Sequence, residues 1–241
     1  MAMTDEAVQV IPFAFPGLPD FRCAFTTRHA GNLSLTGKEG AEREETVAAR
    51  RALCGRLGIG AWAEARQVHG DTLLINPEAA PVAEEPAVEA DGLATDGKDL
   101  ALAVKTADCQ PILLAHPGGF IAAVHAGWRG NVLRFPETAV ATFCLKYGLD
   151  PAEVHAVRGP SLGYAEFVNF SREWPVVFAP WYNQATRCVD LWSLTRRQLG
   201  EAGLKAQHIH SLDLCTHSLN SLFFSHRRKD AGRQMALIWR V

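Results

Sequence analysis

The 241-residue sequence lacks the patterns that mark membrane-spanning, disulfide-rich and nucleic-acid-binding proteins. No apolar run approaches the roughly 20 residues that a helix needs to cross a bilayer. The chain has 24 basic and 26 acidic residues, a net charge of −2, so no charge excess points to nucleic acid or an acidic membrane. Its six cysteines include no CxxC pair, which favours free thiols over a disulfide framework.

The N-terminal segment also lacks the pattern of a secretory signal. Residues 1–20 carry acidic side chains where a signal peptide would carry a basic region followed by an apolar block. Neither an internal repeat nor a low-complexity tract divides the chain. We therefore expect a cytoplasmic protein with one domain over residues 1–241, and we expect neither a nucleic acid nor a membrane as its partner.

Hydrophobic periodicity predicts a mixed α/β domain. Helices are predicted at 41–58, 136–147 and 190–204, with Asp190 as the N-cap of the last one. Strands are predicted at 21–27, 65–77 with an interruption at Gly70 and Asp71, 100–106, 111–115, 120–126, 207–211 and 235–241, and residues 154–163 are predicted as a strand that runs into a turn. Several of these segments are almost continuously apolar, which is typical of strands covered on both faces. We therefore expect a central sheet with helices outside it.

One predicted hairpin brings two reactive side chains together. The segment AHPGGF predicts a turn between two apolar strands. If Ala115 faces Phe120, Ala126 lies opposite Cys109, whereas a turn one residue tighter places His125 opposite Cys109. The sequence leaves the register open. In either register the Cys109 thiol and the His125 imidazole lie close, because opposed side chains in a hairpin are roughly 5 Å apart.

Two sets of metal-ligand residues compete in this sequence. His69 ends the segment QVHG, and together with Cys109 and His125 it would give a zinc donor set with a fourth position open for water or substrate. No local spacing connects these three residues, and each alone is also typical of a structural side chain. The segment HIHSLDLCTH holds a denser set, consisting of His208, His210, Cys215 and His217. This set is either a metal site or a His-rich surface strand and turn.

Four motifs, QVHG, TADCQPILL, VHAGWRG and GPSLG, resemble those of the YfiH-like family, also called laccase-domain proteins or peptidoglycan editing factors. The similarity runs from FTTRHAG at 25–31 to FFSHRRKDAGRQMALIW at 223–239. It implies a single-domain sandwich of mixed sheet with flanking helices, similar to the deamidase domain of cytotoxic necrotising factors. It also implies zinc bound by His69, Cys109 and His125, which favours the dispersed trio over the 208–217 set.

The resemblance further implies an enzyme of purine nucleosides, with a cellular role in peptidoglycan quality control. The implied reactions are phosphorolysis of adenosine, inosine, guanosine and methylthioadenosine, and deamination of adenosine. Arg28, Arg50 and Arg129 are the candidate substrate-binding residues, because a planar guanidinium can grip phosphate at two points. Asp108 is either a carboxylate that moves protons during deamination or a cap of the adjacent turn.

The sequence is also compatible with two other classes of function. One is a metal-free hydrolase in which Cys109 is the nucleophile and His125 the base. The other is the copper polyphenol oxidase of older family descriptions. Multicopper chemistry needs many histidines in paired motifs, and the one His-x-His motif, His208 and His210, lies away from the trio. We therefore expect zinc rather than copper.

Overall fold

The computed structural model describes residues 9–241. Residues 1–8, on which part of the signal-peptide prediction rests, lie outside the described residues. The strands are β1 (Val10–Phe13), β2 (Phe21–Thr26), β3 (Trp62–Ala63), β4 (Leu73–Ile75), β5 (Gly92–Thr95), β6 (Ala101–Thr106), β7 (Gln110–His116), β8 (Phe120–Ala126), β9 (His155–Arg158), β10 (Tyr164–Glu166), β11 (Tyr182–Asn183), β12 (Cys188–Asp190), β13 (Ile209–Ser211) and β14 (Gln234–Arg240). The α-helices are α1 (Gly40–Leu57), α2 (Trp128–Val132), α3 (Phe135–Tyr147), α4 (Phe170–Glu173) and α5 (Leu191–Glu201). Within this described part, none of the helices combines the length and the apolar character needed to cross a bilayer.

Two large sheets organise the fold. One has five strands in the order β1-β2-β14-β6-β3, and the other has six in the order β13-β9-β7-β8-β5-β4. Both are mixed, because β3 runs parallel to β6, β4 to β5 and β13 to β9, while the other neighbours are antiparallel. A small sheet, β10-β12-β11, follows in the C-terminal half.

The two large sheets pack face to face around a shared core. Val104 and Ile238 of the five-stranded sheet lie in one buried cluster with Leu113 and Ile121 of the six-stranded sheet. Helix α1 covers the outer face of the first sheet through Leu53, and α3 and α5 cover the outer face of the second. The predicted mixed α/β sandwich with flanking helices is confirmed, but the expected central sheet is in fact two packed sheets.

Local signals end α1 and α3 and begin α5, whereas α5 ends at Glu201, three residues before its predicted end. Gly58 follows α1 with a φ of 65°, and Gly148 follows α3 with a φ of 66°, the left-handed conformation that glycine adopts most readily. At the start of α5, the Asp190 carboxylate accepts the backbone N–H of Ser193 at 3.0 Å. These signals act within a few residues, so the sequence alone reveals them.

The β7–β8 hairpin forms, but in neither of the two predicted registers. Pro111, not Cys109, pairs with His125. The loop spans residues 117–119 because His116 faces Phe120, and its last residue, Gly119, has a φ of 95°, which glycine adopts readily. Cys109 therefore lies one residue before β7 and approaches His125 from the preceding turn.

The segment 65–77, predicted as an interrupted strand, is mostly loop. Only its last part forms a strand, β4, and Arg66 makes a single isolated bridge. The backbone N–H groups of residues 68–70 donate to the carboxylate of Asp91 instead of to a neighbouring strand. His69 consequently has a φ of 61°, which interrupts extended structure.

Candidate active site

Three separate segments bring one sulfur and two imidazole rings together. His69 lies in the loop between β3 and β4, Cys109 lies just before β7, and His125 lies in β8. One ligand atom from each residue lies within 4.8 Å of the others. The ring centroids of His69 and His125 are 5.0 Å apart, with the rings inclined at 78°. The structure therefore brings together the dispersed trio that the sequence analysis favoured.

Asp91 fixes two members of the trio at once. Its Oδ1 lies 2.8 Å from His125 Nδ1 and accepts the backbone N–H of His69 at 2.9 Å. Its Oδ2 accepts the backbone N–H groups of Gly70 at 2.7 Å and Val68 at 3.2 Å. Asp91 is buried, so these bonds form away from solvent. One carboxylate thereby orients the His125 ring, leaving Nε2 free for the trio, and holds the loop that carries His69.

Gly127 provides the space that the Cys109 sulfur occupies. A Cβ atom at Gly127 would lie 2.8 Å from Cys109 Sγ, which is closer than real Cβ contacts. His125 is buried, Cys109 is partly buried and His69 is exposed. The trio therefore opens toward solvent on the side of His69, where a substrate could reach it.

Asp108 has a structural role. It has a φ of 85°, and its Oδ1 accepts a hydrogen bond from the Thr216 hydroxyl at 2.8 Å. Its Oδ2 accepts from the Ser225 hydroxyl at 3.0 Å and from the backbone N–H of Arg227 at 2.8 Å. Both carboxylate oxygens are thus engaged, which favours the capping role over proton transfer. These bonds tie the C-terminal segment, residues 212–233 between β13 and β14, to the turn that carries Cys109.

The electrostatics of the site favour a thiolate beside an imidazolium. Burial alone would raise the pKa of Cys109, but the charge of His125 and hydrogen bonds from His125 and His69 lower it to about 6. Burial opposes the charged form of His125 too, yet the Cys109 thiolate and the Asp91 carboxylate raise its pKa to about 9. Against the effect of its own burial, hydrogen bonds with His125 and Gly70 lower the pKa of Asp91.

The donor set of this trio fits a metal ion that keeps one coordination position open. Two imidazole nitrogens and one thiolate are ligands that zinc takes in proteins. The hydrogen bond to Asp91 sets the orientation of His125 in the way that carboxylates orient ligand histidines. Over residues 9–241, no other group of three His, Cys, Asp or Glu side chains converges in this way. His69, Cys109 and His125 are therefore the residues that would hold the ion.

A pocket of about 580 Å³ opens above the trio, which is a size typical of small-ligand sites. Its basic lining residues are Arg66, Lys105, Arg129, Arg227 and Arg233. Its apolar lining includes Trp128, Leu162 and Phe167, which belong to one hydrophobic cluster. The pocket thus combines the His69, Cys109 and His125 trio, an apolar wall and several cationic side chains.

Of the three arginines predicted to bind substrate, only Arg129 lines the pocket. Arg28 instead donates to the backbone carbonyl of Asn220 and packs over the Phe224 ring at 5.0 Å. Its guanidinium is held against the C-terminal segment, so the expected role of Arg28 in substrate binding is corrected.

Arg50 is buried in the protein interior, with 0% of its surface exposed. Its two terminal nitrogens donate to the two oxygens of Glu64 at 2.7 and 3.0 Å. Its remaining bonds go to the carbonyls of Leu33 at 2.9 Å and Val82 at 3.0 Å. The expected phosphate-binding role is therefore corrected, because the guanidinium is out of contact with the pocket and fully engaged in the core.

The competing 208–217 set does not converge. His208 and His210 stack instead with His155, at ring-centroid distances of 3.8 and 6.2 Å. Burial and the neighbouring histidines lower the pKa of His155 to about 4, so this ring is neutral at pH 7. Cys215 packs near the aromatic cluster around Trp128. These positions favour the His-rich strand and turn over a metal site.

Sequence reasoning missed Asp91, Arg227 and Arg233 as residues of the site. Asp91 ends an Ala- and Glu-rich loop, and Arg227 and Arg233 lie in a basic segment that resembles an exposed turn. Their contacts with the site span long separations in the chain, as in the hydrogen bond between Arg227 and Asp108. A local pattern carries no signal for such contacts.

Comparison with known proteins gives one consistent set of relatives. A family model described as multi-copper polyphenol oxidoreductase laccase matches residues 22–241. The purine nucleoside phosphorylase YlmD of Geobacillus stearothermophilus is 30% identical over 93% of this chain and 93% of that protein. The purine nucleoside phosphorylase YlmD of Bacillus subtilis is 34% identical over 61% of this chain and 58% of that protein.

A solved structure supports this fold. The crystal structure of the Bacillus licheniformis hypothetical protein YfiH matches with a TM-score of 0.85 and 26% identity. The match covers 99% of this chain and 98% of that chain.

Proposed function

This chain belongs to the multi-copper polyphenol oxidoreductase laccase family, and from its YfiH and YlmD relatives and its own site we propose that it cleaves purine nucleosides with phosphate. The observation that carries the proposal is the His69, Cys109 and His125 trio at the floor of a pocket with cationic walls. The substrates we propose are adenosine, inosine, guanosine and methylthioadenosine.

The charge of the pocket suits an anionic co-substrate. Arg129, Arg227 and Arg233 line it, and within residues 9–241 none of them forms an ion pair with a carboxylate. Two other lining cations are neutralised, since Arg66 pairs with Glu89 and Lys105 pairs with Glu64. Arginines left without acidic partners attract a phosphate dianion.

The proposed reaction balances without a further reactant. An oxygen of hydrogen phosphate forms a bond to ribose C1′ as the bond from C1′ to the purine nitrogen breaks. The bonding electron pair leaves with the purine, which takes up the proton that the attacking hydrogen phosphate gives up. The products are the free base and ribose 1-phosphate, or 5-methylthioribose 1-phosphate when the substrate is methylthioadenosine. Zinc, when bound, would supply Lewis-acid stabilisation of the charge that develops in this step.

The protein's own residues hold the trio in place for the two reactants. Asp91 holds His125 and the loop of His69 in one arrangement, and Gly127 leaves room for the Cys109 sulfur. A fixed arrangement lowers the entropic cost of bringing two substrates together.

Adenosine deamination is the second reaction that we propose for the same site. It needs a carboxylate that moves protons at the base. Asp91 and Asp108 are both fully engaged in hydrogen bonds, whereas the exposed Glu85 lines the pocket. Glu85 is therefore the carboxylate available for this role, and phosphorolysis is the main activity proposed.

Copper-dependent polyphenol oxidation is not proposed. Multicopper oxidation requires several copper sites, and residues 9–241 provide one converging group of three ligands. The buried core around it supplies no second set of paired histidines, since His208 and His210 stack with His155.

A product assay tests the proposal directly. The purified protein should convert each nucleoside into its free base and the matching sugar 1-phosphate when phosphate is present, and release no free base without it. His125→Ala serves as the matched inactive control. Free base that forms equally without phosphate would contradict phosphorolysis, and inosine formed from adenosine would support deamination.

A metal-free cysteine hydrolase is a second candidate, favoured by one specific observation. His125 Nδ1 lies 2.8 Å from a buried carboxylate, Asp91, and its other nitrogen faces Cys109. A thiol, an imidazole and an orienting carboxylate in this order also form the arrangement of a nucleophilic catalyst.

Thiol alkylation separates this candidate from the metal enzyme. If zinc is bound, Cys109 should react slowly with iodoacetamide, and a chelator should accelerate its labelling strongly. Labelling must be mapped to the peptide containing TADCQ, because five other cysteines are present. Rapid labelling of that peptide with no response to chelator, together with loss of activity, would support the cysteine hydrolase instead.

A further inference from the structure

Two of the pocket arginines that form no ion pair with a carboxylate lie on separate segments next to the trio. Arg129 lies in α2, two residues after Gly127, which abuts the Cys109 sulfur. Arg227 lies in the C-terminal segment, and its backbone N–H donates to the Asp108 carboxylate at 2.8 Å. Both arginines are thus tied by short connections to the residues that position the thiol.

Neighbouring aromatic rings support both guanidinium groups. The guanidinium carbon of Arg129 lies 4.6 Å from the centroid of the Trp128 ring, and that of Arg227 lies 5.5 Å from the centroid of the Phe167 ring. The two rings contact each other edge to face, with centroids 5.6 Å apart. Cation–π contacts hold a charged group in place without neutralising it.

The charge of these two arginines remains available to a ligand. The Arg227 guanidinium donates one bond to the carbonyl of Glu166 at 3.0 Å, and within residues 9–241 the Arg129 guanidinium makes no hydrogen bond or ion pair. Both side chains are exposed at the pocket wall. By contrast, Arg66 and Lys105 face carboxylates, so an anion entering the pocket gains more from Arg129 and Arg227.

We propose that Arg129 and Arg227, supported by the Trp128–Phe167 pair, form the subsite that binds phosphate. This inference rests on the proposed function and adds the position of the co-substrate within the pocket. Each guanidinium covers a face of its ring. The two arginines therefore present planar, charged guanidinium groups to the pocket rather than bare aromatic surface. Two guanidinium groups can each donate two hydrogen bonds to the oxygens of a phosphate dianion.

Steady-state kinetics with varied phosphate test the subsite. Arg129→Ala and Arg227→Ala should each raise KM for phosphate by about 10- to 100-fold, because each removes a charge-assisted contact. KM for the nucleoside should change less than about threefold at saturating phosphate. Arg172→Ala removes one exposed arginine that does not line the pocket, and it should leave both constants unchanged.

A binding measurement without turnover gives a second readout. Phosphate should raise the melting temperature of the wild-type protein, and the rise should be lost in the Arg129→Ala and Arg227→Ala double variant. If a single alanine variant does not fold, Arg129→Lys and Arg227→Lys take its place. They keep the positive charge but lose the two-point hydrogen bonding of a guanidinium, so they should show intermediate KM values for phosphate.

The outcomes separate this inference from the proposed function. Absence of phosphate-dependent cleavage in the wild type, with phosphate still stabilising it through both arginines, would overturn the function and support the subsite. Phosphate-dependent cleavage with unchanged KM for phosphate in both variants would overturn the subsite and leave the function standing. An equal rise of both KM values would also overturn it, because it would show a general effect on the pocket.

Discussion

Replacing Cys109 with alanine should abolish metal binding and lower nucleoside cleavage by about a thousandfold or more. The reason is that Cys109 supplies the one thiolate of a three-ligand set whose other members, His69 and His125, are neutral donors when they bind a metal. Loss of a bound metal removes several kcal/mol of transition-state stabilisation, and about 4 kcal/mol corresponds to a thousandfold in rate. His125→Ala should have the same effect.

Metal content by elemental analysis and phosphate-dependent cleavage are the two measurements. Cys188→Ala is the matched control, since its partly buried thiol bonds only to the nearby Thr186 carbonyl. It should retain one zinc per chain and full activity. Folded Cys109→Ala and His125→Ala proteins that keep a full complement of zinc would place the metal elsewhere, and the 208–217 set would then be examined.

Replacing Arg50 with alanine should destabilise the fold without acting selectively on phosphate. Arg50 and Glu64 are both buried and share two hydrogen bonds, at 2.7 and 3.0 Å. Removing one partner of a buried pair leaves the other charge without compensation, which typically costs about 3–5 kcal/mol. Lys105 also bonds to Glu64, so we expect a loss of about 3 kcal/mol in the free energy of unfolding.

Denaturant unfolding followed by circular dichroism measures this loss. Arg51→Ala is the matched control, because Arg51 is the next residue of the same helix and is exposed. Its free energy of unfolding should change by less than about 0.5 kcal/mol. Wild-type stability of Arg50→Ala combined with a raised KM for phosphate would contradict the structural role and restore the phosphate-binding hypothesis.

Much of the fold follows from local sequence signals. The buried strand β8 has the predicted bounds, Phe120–Ala126, because its apolar run ends at glycines on both sides. Gly58 and Gly148 end helices, and Asp190 begins one, because each acts on backbone groups within a few residues. The trio of candidate metal ligands was predicted with the help of four motifs that resemble a known family, since no spacing in this chain connects His69 with Cys109.

Only the tertiary structure decided the partners of the charged residues. Arg50 and Arg129 are the same residue type, and their sequence surroundings do not show that one faces Glu64 in the core while the other faces an open pocket. Asp91 and Asp108 likewise acquire their roles from donors far along the chain, in the loop of His69 and in the C-terminal segment.

The physical reason is that hydrophobic periodicity and capping are local properties, whereas the partner of a charge depends on how sheets and loops are packed. The sequence by itself determined a mixed α/β fold, the helix ends and the candidate ligands. The packing of two sheets, the three-residue hairpin loop and the carboxylate of Asp91 determined how those ligands meet.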